Sequence, residues 1–135
     1  MTLGAREEAL ARAVLASLER GRFDPPWVRD LAGAHGIAEE EMRRLLKKLA
    51  RRGDVYQVVR DLFYCRASIG ALARLVAEQA QAHGGALGAA AFRDASALGR
   101  KRAIQILEFF DRVGYTRFYR DLHLLRADSR WHESV

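Results

Sequence analysis

One order of elements, a long helix, a short helix, a third helix and a pair of strands, is written twice in this chain. A duplication with a period of about sixty residues points to tandem domains and leaves few folds open. In the first copy Leu10, Val14 and Leu18 stand at i, i+4 and i+8 ahead of Gly21, the spacing of one helix face. Asp24-Pro25 reads as the N-cap and first residue of a second helix running to about Gly33. After the turn Ala34-His35-Gly36 a third helix begins near Ala38, with Met42, Leu45, Leu46 and Leu49 facing inward and Gly53 as its stop. Val55 to Val59 and Leu62 to Arg66 are rich in β-branched and aromatic residues and flank Arg60-Asp61 as a hairpin.

The second copy repeats that order. A helix from Ile69 to Ala82 carries Leu72, Leu75 and Val76 at helical spacing and closes at Gly84-Gly85. A short helix from Gly88 to about Ala95 holds Phe92-Arg93-Asp94 as the counterpart of Val28-Arg29-Asp30, and the turn Ala97-Leu98-Gly99 is then shorter than its partner. Within Ser96 to Gly114, residues Ala103, Ile106, Leu107 and Phe110 fall at i, i+3, i+4 and i+7. Tyr115 to Tyr119 and Leu122 to Arg126 flank Arg120-Asp121 as a second hairpin. Three helices and a hairpin are the winged-helix arrangement. The expected fold is therefore mostly α with small β-hairpin wings, in two tandem winged-helix (helix-turn-helix) domains, 1–66 and 67–135. The tail Ala127 to Val135 is polar and is expected to fray, while Trp27 and Trp131 read as packing anchors.

A net charge of +6 tilts the partner towards an anion, nucleic acid first. The single cysteine, Cys65, reads as a half-buried strand residue and cannot form an internal disulfide, which fits a reducing cytoplasm. No apolar run reaches the roughly 20 residues that span a bilayer, and Glu7-Glu8 interrupts any signal-peptide core. His35, His83, His123 and His132 share no metal-ligand spacing and read as surface or turn residues. No nucleophile stands at a spacing that would set it beside a base, so neither a catalytic residue nor a metal is expected.

Aligning Gly53 with Gly114 keeps the inward faces in register, Met42 on Ala103, Leu45 on Ile106, Leu46 on Leu107 and Leu49 on Phe110. The outward residues diverge. Glu39-Glu40-Glu41 stands where the second copy has Arg100-Lys101-Arg102. A helix start carries about half a positive elementary charge, so each cation there costs roughly 0.3–1 kcal/mol unless an anion is near. Stability alone would select glutamates; three cations imply an absent polyanion and make the second copy the candidate for docking nucleic acid. Arg93 on the preceding helix and Arg117 and Arg120 on the hairpin would converge beside the triplet, with Ser96 and Gln105 completing the candidate contacts. Tyr119, or Phe118 by the opposite alternation, offers a ring to an unpaired base while the other points into the core, and a core role for both fits the sequence equally well. Without a ligand, the triplet would be a solvated helix end paired with Asp94 or Asp111. Arg43, Arg44, Lys47, Lys48, Arg51 and Arg52 form another basic face on the first copy, suited to phosphate or, with Glu40 and Arg44 as an i,i+4 pair, to solvent alone.

These residues also carry a resemblance. Phe92-Arg93-Asp94, Gly99 to Ile104, Leu107 to Gly114, Thr116-Arg117 and Asp121 with Leu125-Arg126 together resemble the C-terminal end of the bacterial selenocysteine-specific elongation factors, the SelB family. Asp61-Leu62-Phe63-Tyr64 resembles the end of that family's preceding winged-helix unit. The resemblance implies a fragment of a GTP-binding factor that brings selenocysteinyl-tRNA to the ribosome and ends in four winged helices. The last of them grips an mRNA hairpin, the selenocysteine insertion element (SECIS), beside an in-frame UGA codon. It implies Arg93, Arg100 and Lys101 as RNA contacts, with Ile104, Leu107 and Phe110 in the core. Departures from the family pattern are Gly99 in place of a Ser or Thr cap, Arg102 in place of an aromatic, Gln105 in place of proline and Arg120 in place of a wing-turn glycine.

The chain has no GxxxxGK[ST] loop, so GTP and Mg would belong to a G domain absent here, and no cofactor is expected in this part. The expected partners are the mRNA stem-loop and, through the whole factor, the ribosome. A cytoplasmic monomer without membrane attachment is expected. Two other functions fit the same residues. A DNA-binding transcriptional regulator would need a recognition helix exposed along its length, whereas Glu108 and Phe109 on the outer face are poor base readers. A protein-interaction module would suit the acidic helix start of the first copy.

Overall fold

In a computed structural model, which describes Leu3–Val135, the chain divides into two compact units, the first ending at Ser68 and the second running from Ile69 to Val135. Each is a winged helix, mostly helical with a small antiparallel sheet. The first contains α1 (Ala5–Gly21), α2 (Val28–His35), α3 (Glu39–Arg51), β1 (Val55–Val59) and β2 (Leu62–Cys65). The second contains the body of α4 (Arg66–Ala82), then β3 (Ala86–Leu87), α5 (Ala89–Ser96), α6 (Arg100–Arg112), β4 (Thr116–Tyr119) and β5 (Leu122–Leu125), and ends in a 3₁₀ turn, Trp131–Ser134.

The apolar spacing of the sequence becomes the core of each unit. Val14 and Leu18 of α1, Leu31 of α2 and Met42, Leu45, Leu46 and Leu49 of α3 are buried together, with Val55 and Phe63 of the hairpin against them. In the second unit Leu72 and Val76, Phe92, and Ala103, Ile106, Leu107 and Phe110 are buried. Gly53 and Gly114, each at φ +82°, end α3 and α6 in the left-handed region, where a side chain would be strained.

The three helices of the second unit repeat those of the first with a constant displacement of 61 residues. That register corrects the sequence alignment of the short helices: Val28 lies opposite Ala89, Leu31 opposite Phe92, and Arg93 opposite Ala32, so Arg93 has no basic counterpart in the first unit. The two helix-turn-helix turns, residues 36–38 and 97–99, are accordingly of equal length. Gly36 and Ala97 hold the same left-handed position, at φ +66° and +61°.

Asp24 does not cap α2, whose N-cap is Trp27. Pro26 disfavours helical geometry in the residue before it, so the Pro25-Pro26 pair keeps the chain extended until Trp27. Prolines also explain why only the second unit has a third strand. Ala86 and Leu87 pair with Leu124 and His123 of β5, whereas their counterparts, Pro25 and Pro26, have no N–H to give a ladder. The wings differ by one residue as well. The register of β1 against β2 shifts between Gln57 and Val59, a bulge that lodges Val58 in the core, while β4 pairs with β5 without a break.

Several expectations change in three dimensions. The tail does not fray: Trp131 returns onto Phe109, Phe110 and Tyr115 with ring centroids 6.0, 5.5 and 5.4 Å apart. Phe109, expected on the outer face of α6, is thereby only 3% exposed. Trp27 remains partly exposed. Cys65 is buried, its Sγ 3.2 Å from the Ser68 hydroxyl. His123 is buried on β5 instead of lying at the surface.

The first wing is fastened to α3 by a paired charge. Arg43 Nε and an Nη donate to the two carboxylate oxygens of Asp61 at 2.8 and 3.0 Å, a bidentate clamp between helix and hairpin turn. Hydrogen bonding from Arg43 lowers the Asp61 pKa below the usual carboxylate range.

Two outcomes follow. Trp131→Ala should destabilise the chain by about 2 kcal/mol in urea unfolding, because it empties a half-buried aromatic site; a tail that packs against nothing would change stability by less than about 0.5 kcal/mol. Asp61 is depressed in the folded state, so its clamp stabilises above the unfolded carboxylate pKa of about 3.9 and is lost as pH falls through the folded value. The Tm gap between the native chain and Asp61→Asn should close as pH drops below about 4; a gap independent of pH would refute the clamp.

Candidate nucleic-acid interface

α6 begins abruptly. Its N-cap, Gly99, is extended and offers no side-chain acceptor, and its first turn has no acidic residue. The start of α3 has the same backbone but three glutamates in its first turn. The amide dipoles at the head of α6 are thus met by cations from its own sequence. Arg100 and Lys101 are exposed, and neither has an ion-pair or hydrogen-bond partner among the described residues. The carboxylates that could have neutralised them are engaged elsewhere: Asp94 faces Arg93 at 3.4 Å, and Asp111 serves the wing. Arg102 is half-buried and has a partner of its own.

Asp111, in the last turn of α6, braces the wing. The Thr116 hydroxyl donates to its Oδ1 at 2.7 Å, and His123 Nδ1 lies 2.9 Å from its Oδ2. One carboxylate therefore fixes both β4 and β5 against the recognition helix, and the rest of the hairpin projects beyond the core. This explains why neither Phe118 nor Tyr119 points inward, contrary to the alternation expected from sequence. β4 is buried only at Thr116, and Phe118 and Tyr119 are 56% and 48% exposed. Phe118 leans on His123, with ring centroids 5.0 Å apart. Tyr119 lies between two cations, with Arg117 and Arg120 at 5.5 and 5.1 Å from its ring centre.

Between α6 and this wing lies an open cleft of about 780 Å³, lined by Ile104 and Phe118 as apolar walls, by Arg100 and Arg112, and by Glu108 and Asp121. Ile104, expected in the core, is only half-buried because it forms that wall. The first unit shows why the cleft is open. By the helix register Ile104 occupies the place of Arg43, and by the hairpin turns Asp121 occupies that of Asp61. Arg43, which clamps helix onto wing in the first unit, has no cationic counterpart at its place in α6.

The remaining candidates fall at the margin. Ser96 is buried, and its hydroxyl donates to the Arg93 carbonyl at 3.3 Å and accepts from Leu98 N–H at 3.4 Å, so it holds the turn before α6. Gln105 is half-buried along α6. Among the described residues no cluster of His, Cys, Asp and Glu could hold a metal ion. The Asp111–His123 brace and the cleft carry no linear signature, because both depend on strands meeting a helix end. Only the replacement of Arg43 by Ile104 in the repeat could have hinted at them.

The wing turn is strained. Arg120 and Asp121 both adopt positive φ, +50° and +64°, the geometry of a two-residue turn that favours Asn-Gly. A non-glycine residue there costs roughly 1 kcal/mol. Arg120→Gly should therefore raise stability by about 1 kcal/mol in urea unfolding; a loss of stability would mean that the arginine is held by packing.

A duplicated three-helix scaffold, with one copy presenting exposed cations at the start of its third helix and exposed aromatic rings on its wing, defines a tandem winged-helix protein. Comparison with known proteins agrees. Residues 6–64 match the winged-helix domain described for selenocysteine-specific elongation factor, and residues 78–125 match the winged helix of elongation factor SelB. The selenocysteine-specific elongation factor of Escherichia coli (strain K12) is 44% identical over 103 residues, covering 76% of this chain, and that of Haemophilus influenzae is 34% identical over 113 residues, covering 84%. The chain spans only 17% and 18% of those two relatives. A solved structure, the mRNA-binding domain of elongation factor SelB from E. coli in complex with SECIS RNA, superposes with a TM-score of 0.76 at 40% identity, over 87% of this chain and 97% of that one. The chain belongs to the SelB family of selenocysteine-specific elongation factors.

Proposed function

We propose that this chain is the mRNA-binding part of a selenocysteine-specific elongation factor, and that its second unit grips a SECIS hairpin to direct selenocysteine to a UGA codon. The observation that carries the reading is that unpartnered Arg100, followed on α6 by exposed Lys101, lines the same cleft as exposed Phe118 of a wing that also exposes Arg117, Tyr119 and Arg120. The related E. coli domain was solved with SECIS RNA, which supports the same ligand here.

RNA stems hide their bases in a deep, narrow major groove, so a stem is held by its phosphates and read at unpaired bases. Arg100 and Lys101 would take stem phosphates, helped by Arg102 and by Arg93 on the preceding helix. The cleft offers a base the apolar faces of Ile104 and Phe118 and the carboxylates of Glu108 and Asp121 as acceptors for its N–H groups, with Arg100 and Arg112 as cations in the same lining. Gln105 borders this surface, and Ser96 contributes by fixing the turn. Binding, without catalysis, is the role assigned to these residues. GTP, Mg and ribosome contacts would be supplied by the rest of such a factor, acting as a monomer in the cytoplasm. None of the described helices is long and apolar enough to cross a membrane.

Fluorescence anisotropy with a hairpin RNA carrying unpaired loop bases tests this. Arg100→Glu with Lys101→Glu should weaken binding more than about tenfold and lower the slope of log K against log salt by roughly 0.7–0.9 for each phosphate that is no longer neutralised. A DNA duplex of matched length should compete poorly. Unchanged affinity would remove the site assignment.

A further inference from the structure

We propose that His123 is a positioning residue for RNA binding: its ring, locked by Asp111, holds Phe118 as a fixed wall of the cleft against which an unpaired base stacks. This role rests on the reading of the cleft as the seat of such a base.

The first unit supplies the control. Phe118 stands directly across the hairpin from His123, and the matching cross-strand pair of the first unit is Gln57 with Phe63. By the same registers Thr116 takes the place of Val55, and Asp111 that of Ala50. Val55 and Phe63 are buried in the first core with Ala50 packed against it. The second unit therefore has a carboxylate, a hydroxyl and an imidazole where its twin has three apolar groups. Replacing a buried polar set by apolar residues of like volume is often neutral or stabilising, so stability gives no reason for this exchange.

What the polar set adds is orientation. A phenyl ring in this place is held by packing alone, whereas His123 Nδ1 lies 2.9 and 3.1 Å from the two oxygens of Asp111. A carboxylate only accepts, so Nδ1 carries the proton and donates it, and the ring cannot turn over without setting a C–H against the charge. Asp111 is held in turn by the Thr116 hydroxyl at 2.7 Å. Phe118 rests on the fixed imidazole with ring centroids 5.0 Å apart and planes at 53°. More than half of Phe118 is exposed, and His123 is the one ring it touches among the described residues. An exposed side chain loses rotamer freedom when a ligand settles on it; a side chain already supported from below has less to lose. Asp111, Phe118 and His123 all line the cleft, so the support lies within the site.

The test uses the full chain and a SECIS-type hairpin RNA carrying 2-aminopurine at each unpaired position in turn, a base whose fluorescence falls when it stacks. The native chain should quench at one position, and Phe118→Ala should remove that quenching and weaken binding about tenfold. His123→Asn keeps an N–H for Asp111 near the place of Nδ1 but has no ring. It should remove most of the quenching and weaken binding about fivefold, with the slope of log K against log salt unchanged because no phosphate contact is lost. In a Phe118→Ala background the same substitution should have no further effect, whereas a histidine that only stabilises the fold would act equally in both backgrounds. The triple variant Asp111→Ala/Thr116→Val/His123→Phe, which installs the first unit's apolar set, should unfold at no lower temperature than the native chain and still lose the quenching. The positioning role is overturned, with the base site left standing, if Phe118→Ala removes the quenching while His123→Asn and the triple variant retain it. A native chain that quenches at no unpaired position overturns the base site and this role together.

Discussion

Burial of one apolar face on the third helix of each unit governs everything outside it. Ala103, Ile106, Leu107 and Phe110 are fully enclosed, and a helix pinned by four side chains over two turns has no freedom to roll. The direction of Arg100 and Lys101 is therefore set by the core and not by their own interactions. The same holds in the first unit, where Met42, Leu45, Leu46 and Leu49 turn Arg44, Lys47 and Arg51 outward. Apolar packing, and no contact of their own, thus sets where these cations stand.

The two units solve one mechanical problem, fastening a hairpin to a helix, with different chemistry. In the first, an arginine on α3 clamps a carboxylate in the turn. In the second, a carboxylate at the end of α6 gathers Thr116 at the start of β4 and His123 of β5. The second arrangement anchors the strands and not the turn, and a cleft opens where Ile104 replaces Arg43. The open cleft is thus a consequence of moving one anchor. The regular ladder of β4 with β5, joined by β3, keeps that hairpin in register.

Much of this is legible in the chain itself. Glycines at 53 and 114 and the i, i+3, i+4, i+7 spacing mark the third helices, and the reversal from Glu39-Glu40-Glu41 to Arg100-Lys101-Arg102 needs only an alignment of the repeat to be seen. What escapes a reading of the sequence has physical reasons. Ala86-Leu87 is too short to announce a strand, and becomes one only because β5 offers an edge. The Val58 bulge is invisible to a period-two pattern. Trp131 sits in a polar tail whose packing depends on ring contacts with residues far back in the sequence. Strand alternation would turn one of Phe118 and Tyr119 inward, but alternation holds only where a sheet has a core on one side, and here the hairpin outruns the core.

The central claim is that the start of α6 and the tip of its wing together receive RNA. Its most direct test is to follow the backbone amide resonances of the intact chain while a hairpin RNA with unpaired loop bases is added. The largest shifts should fall on Gly99 to Arg102 and Phe118 to Asp121, with Glu39 to Glu41 silent. Silence at Arg100 and Lys101 while amides elsewhere respond would contradict the account.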